Sequence, residues 1–202
     1  MKTRVFIVHG WDGHPEEGWF PWLKRELEYM EFSVFVPQMP EAENPKIKNW
    51  IPKITEAVGE ADENTYFVGH SMGCQAIARY LETLSVGTKV GGVIFVAGFF
   101  KRLTLETNSK EESGVEKEWL ETPVDFKKIK SHMKRSVAIF SDNDPWVPLD
   151  NQDDYRSKLD SEIIIEHNRG HFSGSNGVKE LPIVLDKILE LKENKYSKNL
   201  QS

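Results

Sequence analysis

The chain has 202 residues, of which 39% are hydrophobic, 11% aromatic and 29% charged. That size and balance suit one compact domain and exclude both intrinsic disorder and two full domains. The formal net charge of −6 lacks the basic footprint that phosphate backbones require, which excludes nucleic acid as a partner.

No apolar run approaches the roughly 20 residues of a membrane helix, and the apolar stretch at residues 5–8 is too short for a secretory signal. The single cysteine, Cys74, can make neither an internal disulfide nor a thiolate zinc site. The expectation is a reducing, cytoplasmic compartment without membrane contact.

Taken in chain order, the elements alternate. A strand at 4–8 runs into His9-Gly10-Trp11-Asp12-Gly13, and Phe20, Leu23, Leu27 and Met30 then recur at helix spacing. Strands follow at 33–36 and 65–68; after the second come Gly69-His70-Ser71-Met72-Gly73 and a helical run with Ile77, Leu81 and Leu84. A strand at 90–97 leads into the charged stretch 101–123, which reads as a solvated loop or a small lid. Strands at 136–140 and 162–166 precede a helix carrying Leu181, Val184, Ile188 and Leu191, and the tail 192–202 lacks an apolar period and predicts a frayed end. This is an α/β pattern: a mostly parallel sheet of about six strands with helices on both faces.

The chemistry concentrates where strands end. In a G-x-S-x-G turn between strand and helix, the serine sits in a strained elbow, and the flanking glycines remove side chains that would collide there. Ser71 is the candidate nucleophile on that ground, since a helix cap alone would not explain the paired glycines. An acid and a histidine should follow it in that order. Ser141-Asp142-Asn143-Asp144-Pro145-Trp146 follows the strand at 136–140, and Asn168-Arg169-Gly170-His171-Phe172 follows the strand at 162–166.

Between Asp142 and Asp144 the sequence favours Asp144, whose backbone Pro145 restricts. Between His167 and His171 it favours His171, which stands in a loop able to reach across the sheet edge. Oxyanion donors are expected from the backbone N–H groups of Met72 and Trp11. Trp11, Trp119 and Trp146 are candidates for an apolar substrate pocket, whereas Trp19, Trp22 and Trp50 read as packing.

The segments VFIVHGWDGHPEEGWFPWLKRELE, GHSMG, SDNDPWVP and GHF resemble the small serine hydrolases of the retinoblastoma-binding-protein/YdeN group within the α/β-hydrolase superfamily. The resemblance spans nearly the whole chain. It implies a compact fold without a large cap, with nucleophile, acid and base on Ser71, Asp144 and His171. The loop His-Gly-Trp-Asp-Gly departs from the glycine-rich loop of some relatives, and no Leu-x-Cys-x-Glu stretch is present for binding a pocket protein.

The implied reaction is two-step acyl transfer on a small-molecule ester, thioester or amide, most simply a carboxylic ester, with no cofactor and no metal. A metal set of His9, Asp12 and His14 lacks a second cluster of ligands. Cys74, in the first turn of the elbow helix, reads as a packing residue rather than a reactive thiol. A competing class is an interaction module with a vestigial triad, in which residues 101–123 bind a protein partner.

Overall fold

The computed structural model describes residues 2–104 and 110–197. The end of the tail, 198–202, and residues 105–109 of the charged stretch lie outside the described residues.

Six strands form one sheet: β1 (Arg4–Val8), β2 (Ser33–Phe35), β3 (Thr65–His70), β4 (Gly92–Val96), β5 (Ser136–Ser141) and β6 (Glu162–Glu166). Their spatial order is β2-β1-β3-β4-β5-β6, and every neighbouring pair is parallel. Each strand therefore returns to the same edge by a crossover, and crossovers place helices on the sheet faces. The described helices are α1 (Phe20–Tyr29), α2 (Ile47–Val58), α3 (Met72–Thr83), α4 (Lys110–Glu121), α5 (Phe126–His132), α6 (Gln152–Leu159) and α7 (Pro182–Ser197). None of these is long and apolar enough to cross a membrane.

Strand alternation sorts the core into two layers. Val5, Ile7, Val68, Ile94, Val96 and Ile139 pack under α1 and α7 with Phe20, Leu23, Leu27 and Ile188. Phe6, Val8, Phe67, Phe95, Ala138 and Phe140 face the opposite way, toward Trp50, Ile54, Ile77 and Leu81. The chain moves from β1 outward to β2 and then back past β1 to β3, so the winding reverses between β1 and β3. Open α/β sheets bind ligands outside the carboxyl ends of their strands at such a switch point.

The charged stretch differs from a solvated loop, because its second half contains α4. Val115 and Trp119, four residues apart on that helix, are fully buried. Trp119, a pocket candidate from the sequence, stacks edge-on against Trp50 at 5.6 Å and donates its indole N–H to the Pro45 carbonyl at 3.0 Å. It belongs to the core, because its helix docks with that face inward.

Arg79 of α3 holds the end of this segment. Its guanidinium donates to the carbonyls of Trp119, Thr122 and Pro123 at 2.9, 2.8 and 3.3 Å. Those bonds offset the cost of burying the charge and satisfy carbonyls that a helix end leaves open.

Candidate active site

The elbow is built by close contact between backbones. Ser71 has φ 54° and ψ −120°, a conformation that non-glycine residues hold only where the surroundings enforce it. A Cβ on Gly69 would lie 2.8 Å from the Cα of Cys74, and one on Gly73 would lie 2.2 Å from the Val8 carbonyl oxygen. Both glycines thus let α3 start directly against β3 and the end of β1. The Ser71 amide donates to the Val96 carbonyl at 2.8 Å, tying the turn to β4. Gly10 completes the contact, since a Cβ there would stand 2.9 Å from that of Ser71.

The loops after β5 and β6 meet beside this turn. His171 Nδ1 donates to Asp144 Oδ2 at 2.7 Å, with side chains only 6% and 2% exposed. Asp144 Oδ1 accepts the amides of Trp146 and Val147 at 2.9 and 3.0 Å, so both carboxylate oxygens are engaged. This arrangement leaves Nε2 as the acceptor of the His171 ring. The other two candidates also pair with each other. His167 Nδ1 donates to Asp142 Oδ2 at 2.6 Å on the exposed surface. An amide hydrogen bond from Asn168 and then the bond from His167 lower the Asp142 pKa, while the Asp142 bond raises that of His167.

A cavity of about 790 Å³ opens over these groups. Ser71, His171, Met72, Trp11 and Trp146 all line it. Met72 is the first residue of α3, so its N–H has no acceptor within the helix. Trp146 stands edge-on to the His171 ring at 4.8 Å and is 43% exposed. The indole of Trp11 donates to the Glu43 carbonyl at 2.9 Å. Phe99 and Leu103 add apolar wall, and the ionisable lining residues besides the two histidines are Asp12, Glu17 and Glu43, with no lysine or arginine among the described residues.

The loop after β1 does not assemble a metal set. His9 is buried, its Nε2 accepts the Met39 amide at 3.0 Å, and its Nδ1 donates to the Gly10 carbonyl at 2.9 Å. Burial lowers the pKa of this ring, and with both nitrogens engaged it acts as a strut rather than a ligand. Cys74 is buried, donates to the Val96 carbonyl at 3.4 Å, and has its pKa raised by burial.

Sequence reasoning missed several residues that frame the histidine loop. Asn143 Oδ1 accepts the Gly170 amide at 2.8 Å, Ser141 Oγ accepts the Arg169 amide at 3.0 Å, and Asn176 Oδ1 accepts the His171 amide at 2.9 Å. His70 lies inside the elbow motif itself, where its place before the serine was an available signal.

Known proteins share this architecture. The protein YdeN of Bacillus subtilis (strain 168) is 33% identical over 187 residues, covering 92% of this chain and 94% of YdeN. The serine hydrolase RBBP9 of Rattus norvegicus is 28% identical over 176 residues, covering 86% of this chain and 89% of RBBP9. The crystal structure of the B. subtilis ydeN gene product superposes with a TM-score of 0.86 at 31% identity, covering 96% of this chain and all of that one. A match to the serine hydrolase family extends over residues 5–190, which takes in the sheet from Val5 onward, and the chain belongs to that family, with the α/β-hydrolase fold.

Proposed function

We propose that this serine hydrolase is a carboxylesterase acting on small esters through Ser71, His171 and Asp144. The observation that carries the reading is the elbow serine sharing one cavity with a histidine whose Nδ1 is bonded to a buried carboxylate. His171 Nε2 takes the proton from Ser71 Oγ as the oxygen attacks the ester carbonyl. The carbonyl oxygen becomes an anion facing the N–H groups of Met72 and Trp11. His171 then passes its proton to the leaving alkoxide, and the acyl group stays on Ser71. Water repeats the sequence, giving a proton to His171 and releasing the acid as Ser71 regains its hydrogen. Asp144 holds the imidazole in the tautomer this requires and stabilises its charged form.

The cavity's size and aromatic wall suit a short acyl chain, and its three carboxylates disfavour an acyl group ending in another. The test is labelling by a fluorophosphonate probe together with an ester panel. Ser71 is expected to label, Ser71→Ala is expected to lose labelling and hydrolysis with an unchanged circular dichroism spectrum, and neutral esters should outrun carboxylate-bearing ones. Absence of labelling in the native chain overturns the reading.

A further inference from the structure

Ser71 follows β3 and His171 follows β6, and two strands, β4 and β5, stand between them in the sheet. The two loops therefore leave strands about 14 Å apart, three spacings of roughly 4.8 Å, and loop conformation sets how closely they meet. The histidine loop is not a relaxed one. Asn168 and Phe172 have φ of 56° and 55°, and such backbone at a non-glycine residue, above all an aromatic one, persists only where its surroundings over-determine it.

Asn143, Ser141 and Asn176 hold amides of this loop, and two buried rings hold its carbonyls. His70 Nε2 donates to the His171 carbonyl at 2.7 Å, and Trp19 Nε1 donates to the next carbonyl, that of Phe172, at 3.0 Å. The His70 ring lies 4.9 Å from that of His171, 6.1 Å from that of Trp19 and 6.0 Å from that of Phe20. His70 is thus covalently joined to the nucleophile and hydrogen-bonded to the backbone of the base, which no other residue near the site combines among the bonds described.

We propose that His70 is a positioning residue that sets the distance between Ser71 and His171, with the Trp19 indole as a second tie on the following carbonyl. The proposal rests on the reading of Ser71 and His171 as nucleophile and base. The carbonyl acceptor fixes the His70 tautomer with its proton on Nε2. The ring stays neutral at physiological pH, since burial chiefly, and then the adjacent His171, push its pKa down to about 3. A residue that merely filled space would need the ring but not the N–H.

That difference defines the experiment. His70→Phe keeps an aromatic ring without the donor, His70→Gln keeps an amide N–H, and Trp19→Phe removes only the second tie. With p-nitrophenyl acetate, His70→Phe is expected to lower kcat on the order of 10²-fold, the effect of a misplacement near 1 Å, with KM within about twofold. Fluorophosphonate labelling should slow in parallel. His70→Gln should recover part of the loss, and Trp19→Phe should show a smaller fall confined to kcat.

The downfield Nδ1–H proton resonance of His171 should persist in His70→Phe, since the bond to Asp144 is untouched. A folded His70→Phe with native kcat, or a change in KM alone, overturns the proposal. Should that variant fail to fold, Trp19→Phe with unchanged kcat, or His70→Gln with no more activity than Ser71→Ala, overturns it instead. Failure of the native chain to label speaks against the catalytic reading, whereas equal labelling of native and His70→Phe chains speaks against the positioning role alone.

Discussion

Asp142 and Asp144 are two residues apart on one loop, yet each meets a different histidine in a different medium. Asp144 is enclosed and faces His171, whereas Asp142 stands in solvent with His167. An orienting carboxylate keeps the proton on Nδ1, and an asparagine in its place can present its own N–H and drive that proton to Nε2, where it blocks acceptance from Ser71. Asp144→Asn is therefore expected to lose on the order of 10⁴ in kcat, the loss seen when the equivalent aspartate of the chymotrypsin-type triad is replaced. Asp142→Asn keeps an acceptor for Asn168 and should lose no more than about tenfold through loop misplacement. Rates on an activated ester, with circular dichroism to verify folding, check the ranking; the reverse order moves the orienting acid to Asp142.

The triad candidates were legible because each sits in a short motif just past a strand, where local sequence encodes local geometry. The ties that hold them were not. His70 and His171 are 101 positions apart, and Asn143 and Gly170 are 27 apart, so nothing in either neighbourhood announces the other.

Helix α3 is pressed onto β1 without an intervening side chain, and this contact turns a rule of helix propensity upside down. Alanine is ordinarily favoured over glycine within a helix by about 1 kcal/mol. At position 73 the added methyl would meet the Val8 and His9 carbonyl oxygens at 2.2 and 2.7 Å, and these backbone atoms cannot rotate aside. Gly73→Ala should destabilise the fold by roughly 1–3 kcal/mol, the ordinary cost of overpacking. Because Met72 precedes it directly, probe labelling should fall by more than the loss of stability explains. Thermal melts and labelling rates on the same preparation measure both, and a variant as stable and reactive as the native chain would contradict the elbow packing.

Legibility among the elements followed the amount of apolar patterning. All six strands were visible, with boundaries differing by a residue or two at four of them. Helices α1, α3 and α7 show repeated apolar spacing. Helix α2 carries Trp50, Ile54 and Val58 on its buried side, but Pro52 in its interior reads as a breaker. Helix α6 buries only Tyr155 and Leu159, and α4 turns Val115 and Trp119 inward among charges. Two apolar residues four apart are enough to dock a helix on an existing sheet, but too few to stand out beforehand. Trp119 was misplaced for that reason, since most of its neighbours in sequence are charged while those in space are not.

At the scale of the molecule, buried neutral histidines make stability depend on acid. The ordinary histidine value is 6.5 and His70 is held down to about 3, so below about pH 6.5 the unfolded chain binds a proton that the folded chain refuses. Stability contributed in this way is present above about 6.5 and is lost as pH falls toward 3. His9, lowered by burial, acts in the same direction. His167 opposes them, because its raised value favours the folded state below about 6.5 and that gain disappears as pH rises; its exposure keeps the effect small. Urea unfolding between pH 7 and 4 should show a falling midpoint, and His70→Gln should flatten the fall; an equally steep decline in the variant would place the acid sensitivity elsewhere.

The hydrogen bonds that close the site also span the chain: 101 residues from His70 to His171 and 153 from Trp19 to Phe172. During synthesis the proposed nucleophile therefore emerges long before the proposed base. At ordinary elongation rates of about 5–20 residues per second, the delay between Ser71 and His171 is roughly 5–20 s. On the proposed assignment, the elbow carries an ordinary alcohol until the last strand joins the sheet, so the nascent chain matures before its serine can be activated.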